Sequence, residues 1–203
     1  MIIKRVVAGI YGANCYIIMD ENTKEAVVLD PGGDVDDIEK AIKSINADVK
    51  YILLTHGHVD HVGGVDELRN IVNAKVGISE KDYVLMEKGT YIYGDAFDKN
   101  VDLFLKENDI IKLNNFDVEC IETPGHTKGG LVFKVNENVF TGDTLFTGSI
   151  GRTDLEGGNY EEIMNSLKNK LVSLNDDCIV FPGHGPRSTI RNEKMTNPFL
   201  KEL

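Results

Sequence analysis

Cysteine, positive charge and long apolar runs are all scarce in this chain of 203 residues. Its three cysteines, Cys15, Cys120 and Cys178, are odd in number and form no C-x-x-C pair. This argues against a disulfide framework or a thiolate zinc site and favours a reducing compartment. With 22 Lys and Arg against 33 Asp and Glu, the net charge of −11 disfavours docking on phosphate backbones. No apolar stretch approaches the length that spans a bilayer. We therefore expect no nucleic-acid partner and no membrane partner.

The composition that remains is that of a globular protein. Hydrophobic residues make up 41% and charged residues 27% of the chain, enough to build an apolar core. The first twenty residues lack the apolar region and cleavage site of a secretion signal, so we interpret them as a pair of strands. We expect one domain over residues 1–203 and a cytoplasmic location, and we leave the oligomeric state open.

Strands and helices alternate along the chain. Short apolar runs such as CYIIM, AVVLD and YILLT predict strands, and DVDDIEKAIKSI predicts a helix with Asp34 at its N-cap. Ser79 and Asp82 form an S-x-x-D pattern that indicates a capping box. We interpret Gly89 to about Asn108 as a loop or lid. The pattern predicts a layered α/β protein with a site on loops at strand ends.

Histidine is scarce here, with five copies. The segment THGHVDH holds His56, His58, Asp60 and His61. In an extended strand, His56, His58 and Asp60 point to one side and His61 to the other. The chain must therefore turn as it leaves the strand if all four side chains are to converge.

The other two histidines occupy similar positions. His126 in ETPGHT, His184 in FPGHG and Asp143 in VFTGDT each follow an apolar strand, with glycine beside them. A single such histidine is more often a capping or core residue, but all five in strand-end turns indicate a metal site. Imidazole and carboxylate ligands suit zinc, iron or manganese.

THGHVDH, the later single histidines and GDT resemble the metallo-β-lactamase fold over essentially the whole chain. The resemblance implies a four-layer αβ/βα sandwich with two divalent metal ions in the cleft between two sheets. It implies that one ion is held by His56, His58 and His126, the second by Asp60, His61 and His184, and that Asp143 bridges them.

Such a site favours hydrolysis. Metal ions lower the pKa of water to about 7, which supplies hydroxide at neutral pH, and they polarise a carbonyl. All titratable groups of the motif are used as ligands, so none remains to protonate a poor leaving group. A thiol leaves readily as thiolate, which favours a thioester as the small-molecule substrate over an amide. Zinc is the expected metal, with iron and manganese as alternatives.

Longer segments, among them LDPGGD, GSIGRTDLEGG and FPGHGPRST, resemble glyoxalase II and its shorter bacterial and archaeal relatives. The resemblance implies hydrolysis of S-acylglutathione such as S-lactoylglutathione. It places Arg152 against the glutathione moiety, although an ion pair with Asp154 or Glu156 explains this arginine equally well. Lys128 is a second candidate for substrate binding. With 19 residues after the last histidine, we expect no C-terminal helical domain.

Other reactions occur on this scaffold. Persulfide dioxygenases share H-x-H-x-D-H and GRTD but use one iron, which His56, His126 and Asp143 would hold here; this is the main alternative. A nuclease is disfavoured by net charge, and a flavodiiron protein by histidine instead of glutamate at His58. His61 and the missing secretion signal disfavour a class B β-lactamase. An intact ligand set disfavours a non-catalytic binding protein.

Overall fold

The fold consists of two compact units, each built on a mixed six-stranded sheet. The computed structural model describes residues 1–97 and 100–202. The strands are β1 Ile2–Ala8, β2 Ala13–Met19, β3 Glu25–Leu29, β4 Asp48–Leu53, β5 Lys75–Ile78, β6 Leu103–Phe104, β7 Ile110–Lys112, β8 Asp117–Glu122, β9 Leu131–Val135, β10 Asn138–Gly142, β11 Leu145–Phe146, β12 Ser149–Ile150, β13 Ile179–Pro182 and β14 Ser188–Thr189. The helices are α1 Val35–Ser44, α2 Val59–Val62, α3 Val65–Val72, α4 Glu80–Glu87, α5 Tyr160–Ser166 and α6 Ile190–Thr196. A π-helical turn Leu167–Leu171 continues α5, and a 3₁₀ turn Leu200–Glu202 follows α6.

The first unit comprises Met1–Leu105 and Lys112–Phe116. Its strands lie in the order β1-β2-β3-β4-β5-β6, antiparallel from β1 to β3 and parallel from β3 to β6. Every residue of β2 is buried, which explains its continuous apolar run. Because β3 and β4 are parallel, their carboxyl ends lie at one edge of the sheet, and the loops that follow them are neighbours.

The second unit comprises Lys106–Ile111 and the chain from Asp117 onward. Its strands lie in the order β14-β13-β10-β9-β8-β7. The hairpin β9–β10 is antiparallel, whereas β10 and β13 are parallel, with Gly142 opposite Pro182. Asp143 and His184 follow these two strands, and the shared strand direction brings them to the same edge.

Asp34 and Ser79 are the N-caps of α1 and α4, as predicted, but the hydrogen bonds of their side chains differ. Asp34 is the N-cap of α1, yet its side chain caps nothing in the helix and accepts a hydrogen bond from the Gly9 N–H at 2.9 Å. Ser79 caps α4 by accepting from the Lys81 N–H at 3.2 Å. Its expected partner Asp82 is fully buried and accepts from the Gly57 N–H at 3.0 Å.

The segment predicted as a loop or lid, Gly89 to Asn108, includes one short strand, β6, that pairs with β5. Phe97 is buried in the core of the first unit. Asp98 and Lys99 lie outside the described residues. Within the described part of the chain, no helix is long and apolar enough to cross a membrane. The single domain over residues 1–203 stays a prediction.

Candidate metal centre

The segment from His56 to His61, called the histidine turn below, begins just after β4. His56 lies in the connection, His58 is the N-cap of the short helix α2, and Asp60 and His61 lie within that helix. The ring centroid of His56 is 4.7 Å from that of His58 and 4.1 Å from that of His61. The one-turn helix thus supplies the change of direction that the sequence required. All three histidine rings are buried, whereas Asp60 is half-buried.

Asp30, just after β3, fixes the orientation of two of these rings. Its carboxylate accepts hydrogen bonds from the N–H of Thr55 at 2.7 Å and the hydroxyl of Thr55 at 2.6 Å. It also lies 3.0 Å from Nδ1 of His61. Because the Thr55 hydroxyl gives its proton to Asp30, its oxygen accepts from Nδ1 of His56, 3.0 Å away. Both neutral rings therefore keep the Nε2 lone pair available as a ligand.

Three further features restrict the turn: a hydrogen bond to its backbone, a contact between two rings and a close approach of two backbone segments. The carboxylate of Asp82 accepts from Gly57, between two of the histidines. The ring of Tyr93 lies edge-on to His58, with centroids 4.9 Å apart. Gly32 lies so close to Asp60 that an added Cβ would be 1.7 Å from the Asp60 carbonyl oxygen. Only glycine fits at position 32 without displacing Asp60.

The second unit brings His126, Asp143 and His184 together. Oδ2 of Asp143 lies 3.6 Å from Nε2 of His126 and 3.7 Å from Nε2 of His184. The carbonyl oxygen of Arg152 lies 2.8 Å from Nδ1 of His126. A carbonyl can only accept, so Nδ1 of the neutral ring carries the proton and Nε2 keeps its lone pair.

Gly151 is required beside this cluster. A Cβ at that position would lie 1.8 Å from the carbonyl oxygen of Asp143 and 3.1 Å from Cγ of His126. The segment of Gly151 and Arg152, called the strap below, can therefore approach the cluster only because position 151 has no side chain.

The donor set of each unit fits divalent metal ions. In the first unit, His56 and His58, His56 and His61, and Asp60 and His61 each offer ligand atoms within 4.8 Å of one another. Nε2 of His61 is 3.7 Å from Oδ2 of Asp60. Two ligands on one tetrahedral zinc ion, each about 2.0–2.2 Å from it, lie about 3.4 Å apart. Nitrogen–oxygen pairs at 3.6–3.7 Å are too long for hydrogen bonds but match that separation.

The two predicted substrate-binding cations differ in their surroundings. Arg152 donates through Nε and Nη2 to both carboxylate oxygens of Asp154, at 2.7 and 2.8 Å. This bond raises the pKa of Arg152 and lowers the pKa of Asp154 to about 2. The alternative explanation from the sequence, an ion pair with Asp154, is thus present, and contact with a substrate stays a prediction. Lys128 is exposed.

Sequence reasoning missed Asp30 and Asp82 as supports of the ligands. A signal existed for Asp30, because LDPGGD places an acid, a proline and two glycines after an apolar strand. This is the same local form as the ligand turns. Asp82 gave no such signal, because its pattern indicated a helix cap.

Comparison with known proteins agrees with this chemistry. The model of the metallo-β-lactamase superfamily matches residues 8–184, and the chain belongs to that family. The predicted metallo-β-lactamase fold is confirmed, and it is an α/β fold with two mixed sheets. In this family, the histidine and aspartate clusters of the two units imply divalent metal ions.

The chain is similar to hydroxyacylglutathione hydrolase GloC of Haemophilus influenzae, with 41% identity over 92% of each chain. Among solved structures it resembles the BLEG-1 B3 metallo-β-lactamase, with a TM-score of 0.90 and 34% identity over 98% of this chain and 99% of that one. It resembles TTHA1623 in a di-iron-bound form, with a TM-score of 0.84 and 33% identity over 97% and 100%. It also resembles ETHE1 from Myxococcus xanthus, with a TM-score of 0.82 and 26% identity over 98% and 84%.

Proposed function

We propose that this protein is a binuclear metal-dependent hydrolase that cleaves a thioester, with S-acylglutathione such as S-lactoylglutathione as its substrate. The observation that carries the proposal is the 41% identity with GloC over 92% of both chains. Because the match leaves little of either chain uncovered, the relative has no large additional part on which its activity would depend.

We further propose that the ligand sets of the two units form one centre. The proposed ligands are His56, His58 and His126 for one ion, Asp60, His61 and His184 for the other, and Asp143 for both. The family's motif supports this assignment, since all seven positions are filled in this sequence. The similarity to a protein in a di-iron-bound form supports two ions and keeps iron beside zinc as a candidate.

Bound divalent ions would supply Lewis acidity, lowering the pKa of water to about 7 and polarising the substrate carbonyl. The residues of this chain hold and orient that chemistry. Asp30, Thr55 and the Arg152 carbonyl keep Nε2 of their histidine partners free of protons. No ligand remains as a general acid, so a leaving group of low pKa, such as a thiol, is favoured.

Thiol release from S-lactoylglutathione by zinc-loaded protein tests the proposal. We expect release by the wild type and almost none by Asp143→Ala, with less zinc bound by the variant. Asp37→Ala is the matched control, because this carboxylate is exposed and pairs with Lys40 on the surface of α1 at 2.7 Å. The three cysteines of the protein are free but buried, so they should add little background to the thiol assay. Equal turnover by Asp143→Ala would contradict the proposal.

The second candidate is a mononuclear-iron persulfide dioxygenase, favoured by the similarity to ETHE1. Oxygen uptake by iron-loaded protein with glutathione persulfide separates the two reactions. Cleavage of a β-lactam should be measured in the same set of assays, because BLEG-1 is among the similar structures. We expect it to be slow, since the amide nitrogen has no general acid among the seven ligands.

A further inference from the structure

Helix α6 carries a carboxylate that is fully buried, that of Glu193. It accepts four hydrogen bonds: from the N–H of Gly148 at 2.8 Å, from Nδ2 of Asn197 at 2.9 Å, from Nδ2 of Asn192 at 3.1 Å and from the hydroxyl of Ser188. All four donors are neutral. Burying a carboxylate against neutral donors alone is costly, so a role beyond holding the helix is to be expected.

Two of these donors, Gly148 and Ser188, lie on the two segments that continue from the proposed metal ligands, whereas Asn192 and Asn197 belong to α6 and its C-cap. Gly148 is the turn of the hairpin β11–β12, which starts two residues after Asp143 and ends just before Gly151. Asn197 strengthens this attachment by donating to the Ser149 carbonyl at 3.0 Å. The hairpin leads directly to Arg152, whose carbonyl receives the Nδ1 proton of His126.

The other segment follows His184. Ser188 lies four residues after this histidine and donates its hydroxyl to Glu193. The hydroxyl of Thr147, in the β11–β12 hairpin, donates to the carbonyl of Pro186 at 2.8 Å. One carboxylate therefore joins the backbone beyond Asp143, the strap that supports His126 and the backbone beyond His184.

We propose that Glu193 is a positioning residue for metal binding, which fixes Asp143, His126 and His184 relative to one another through the β11–β12 hairpin and Ser188. The inference rests on the proposed metal-binding role of these three side chains. It assigns the long-range support of the ligand set to a residue that touches none of the ligands.

The helix itself has other anchors. Ile190 is buried in the core of the second unit, and Lys194 pairs with Asp176 at 2.7 Å. Arg191 pairs with Asp177 at 2.7 Å. Since these contacts attach α6 to its neighbours, the hydrogen bonds that Glu193 accepts from Gly148 and Ser188 mainly determine where the hairpin and the Ser188 segment lie.

Zinc affinity of the full chain, measured by competition with a chromophoric chelator, tests the inference. Glu193→Gln keeps the shape of the side chain but sets an amide N–H₂ against groups that are themselves donors. We expect zinc to bind about tenfold more weakly, at the lower end of the effect of groups that orient ligands. With Co²⁺ as the probe, we expect a changed visible absorption spectrum.

Ile190→Ala is the matched control, because it weakens the packing of the same helix but keeps all bonds of Glu193. It should lower Tm while zinc affinity and the cobalt spectrum stay at wild-type values. If Glu193→Gln does not fold, Ser188→Ala provides the test, since it removes one bond to a half-buried segment. We expect this variant to bind zinc a few-fold more weakly.

Glu193→Gln or Ser188→Ala with a lower Tm but wild-type zinc affinity and cobalt spectrum would overturn the inference and leave a purely structural role. A wild type that binds no zinc would instead overturn the proposed function. The wild-type titration therefore separates the two failures.

Discussion

Asp30 and His61, 31 positions apart in the sequence, are joined by a contact of 3.0 Å between Oδ2 of the carboxylate and Nδ1 of the ring. Both side chains are almost completely buried. The contact exists because parallel strands β3 and β4 end at the same edge, which places the DPGG turn beside the histidine turn. The carboxylate determines which ring nitrogen would be available to a bound metal ion.

We predict that Asp30→Asn weakens zinc binding about 10–100-fold. The amide oxygen must stay against the Thr55 N–H, so the N–H₂ faces Nδ1 of His61 and moves the ring proton to Nε2. Asparagine tolerates the left-handed backbone at this position, where φ is 50°. Metal content and a chelator competition measure the effect.

Asp34→Asn is the control for this prediction. It makes the same change on a similar left-handed backbone, with φ of 45°. The Asp34 carboxylate, however, accepts a hydrogen bond from the Gly9 N–H and not from a histidine. Equal zinc affinities of the two variants would contradict the role of Asp30.

We predict that Gly151→Ala loses bound metal as well as stability, because its Cβ would displace Asp143 and crowd His126. Gly89→Ala is a suitable comparison. It has a left-handed φ of 65° with nothing within 4 Å of the added Cβ, so it should cost only about 1–2 kcal/mol of backbone strain. Metal analysis beside thermal unfolding distinguishes the two, and normal metal content in Gly151→Ala would show that the strap is free to shift.

A third prediction concerns the exposed pair Arg152 and Asp154. If the Arg152 side chain binds the thioester substrate, Arg152→Ala raises KM several-fold and leaves kcat nearly unchanged, because the carbonyl that supports His126 is retained. Asp154→Ala frees the guanidinium from its bidentate partner and should lower KM. Steady-state kinetics with S-lactoylglutathione measure both. Unchanged KM in both variants would assign the arginine to the ion pair alone.

The fourth prediction is a pH dependence of stability. Hydrogen bonds, first that from the Thr23 N–H, lower the pKa of Asp20 to about 2 from its ordinary 3.8. A lowered pKa stabilises the folded state above the unfolded pKa, and this contribution disappears as pH falls from about 4 to 2. The Tm of metal-free wild type should therefore exceed that of Asp20→Asn at pH 5, with the difference narrowing toward pH 2. Parallel Tm curves would argue against it.

The gathering of the proposed ligands within each unit could be predicted from sequence, because their residue types are rare and their local pattern repeats. Their binding of metal ions stays a prediction. His126 and His184 both follow an apolar strand and a Pro-Gly pair, so each strengthens the interpretation of the other. The clustering of His56, His58 and His61 likewise needs only the turn after β4, which Gly57 and the short helix α2 supply.

The residues that support the proposed ligands were harder to predict from the sequence, for three different reasons. Asp82 follows a helix-cap pattern, and its bond to Gly57 depends on how α4 packs. Arg152 supports His126 through its carbonyl, which every residue type possesses. Glu193 lies in a largely polar stretch, NEKMTN, with no apolar pattern that would indicate burial, yet it is fully buried.

The separation of backbone and side chain at Arg152 has a consequence for how such proteins diversify. The carbonyl that orients His126 is independent of the side chain, and the neighbouring Gly151 supplies the close approach. Substitution of the guanidinium therefore leaves the orientation of the histidine unchanged. If the Arg152 side chain contacts the substrate, position 152 is a place at which a lineage could change its substrate and still keep the support of His126.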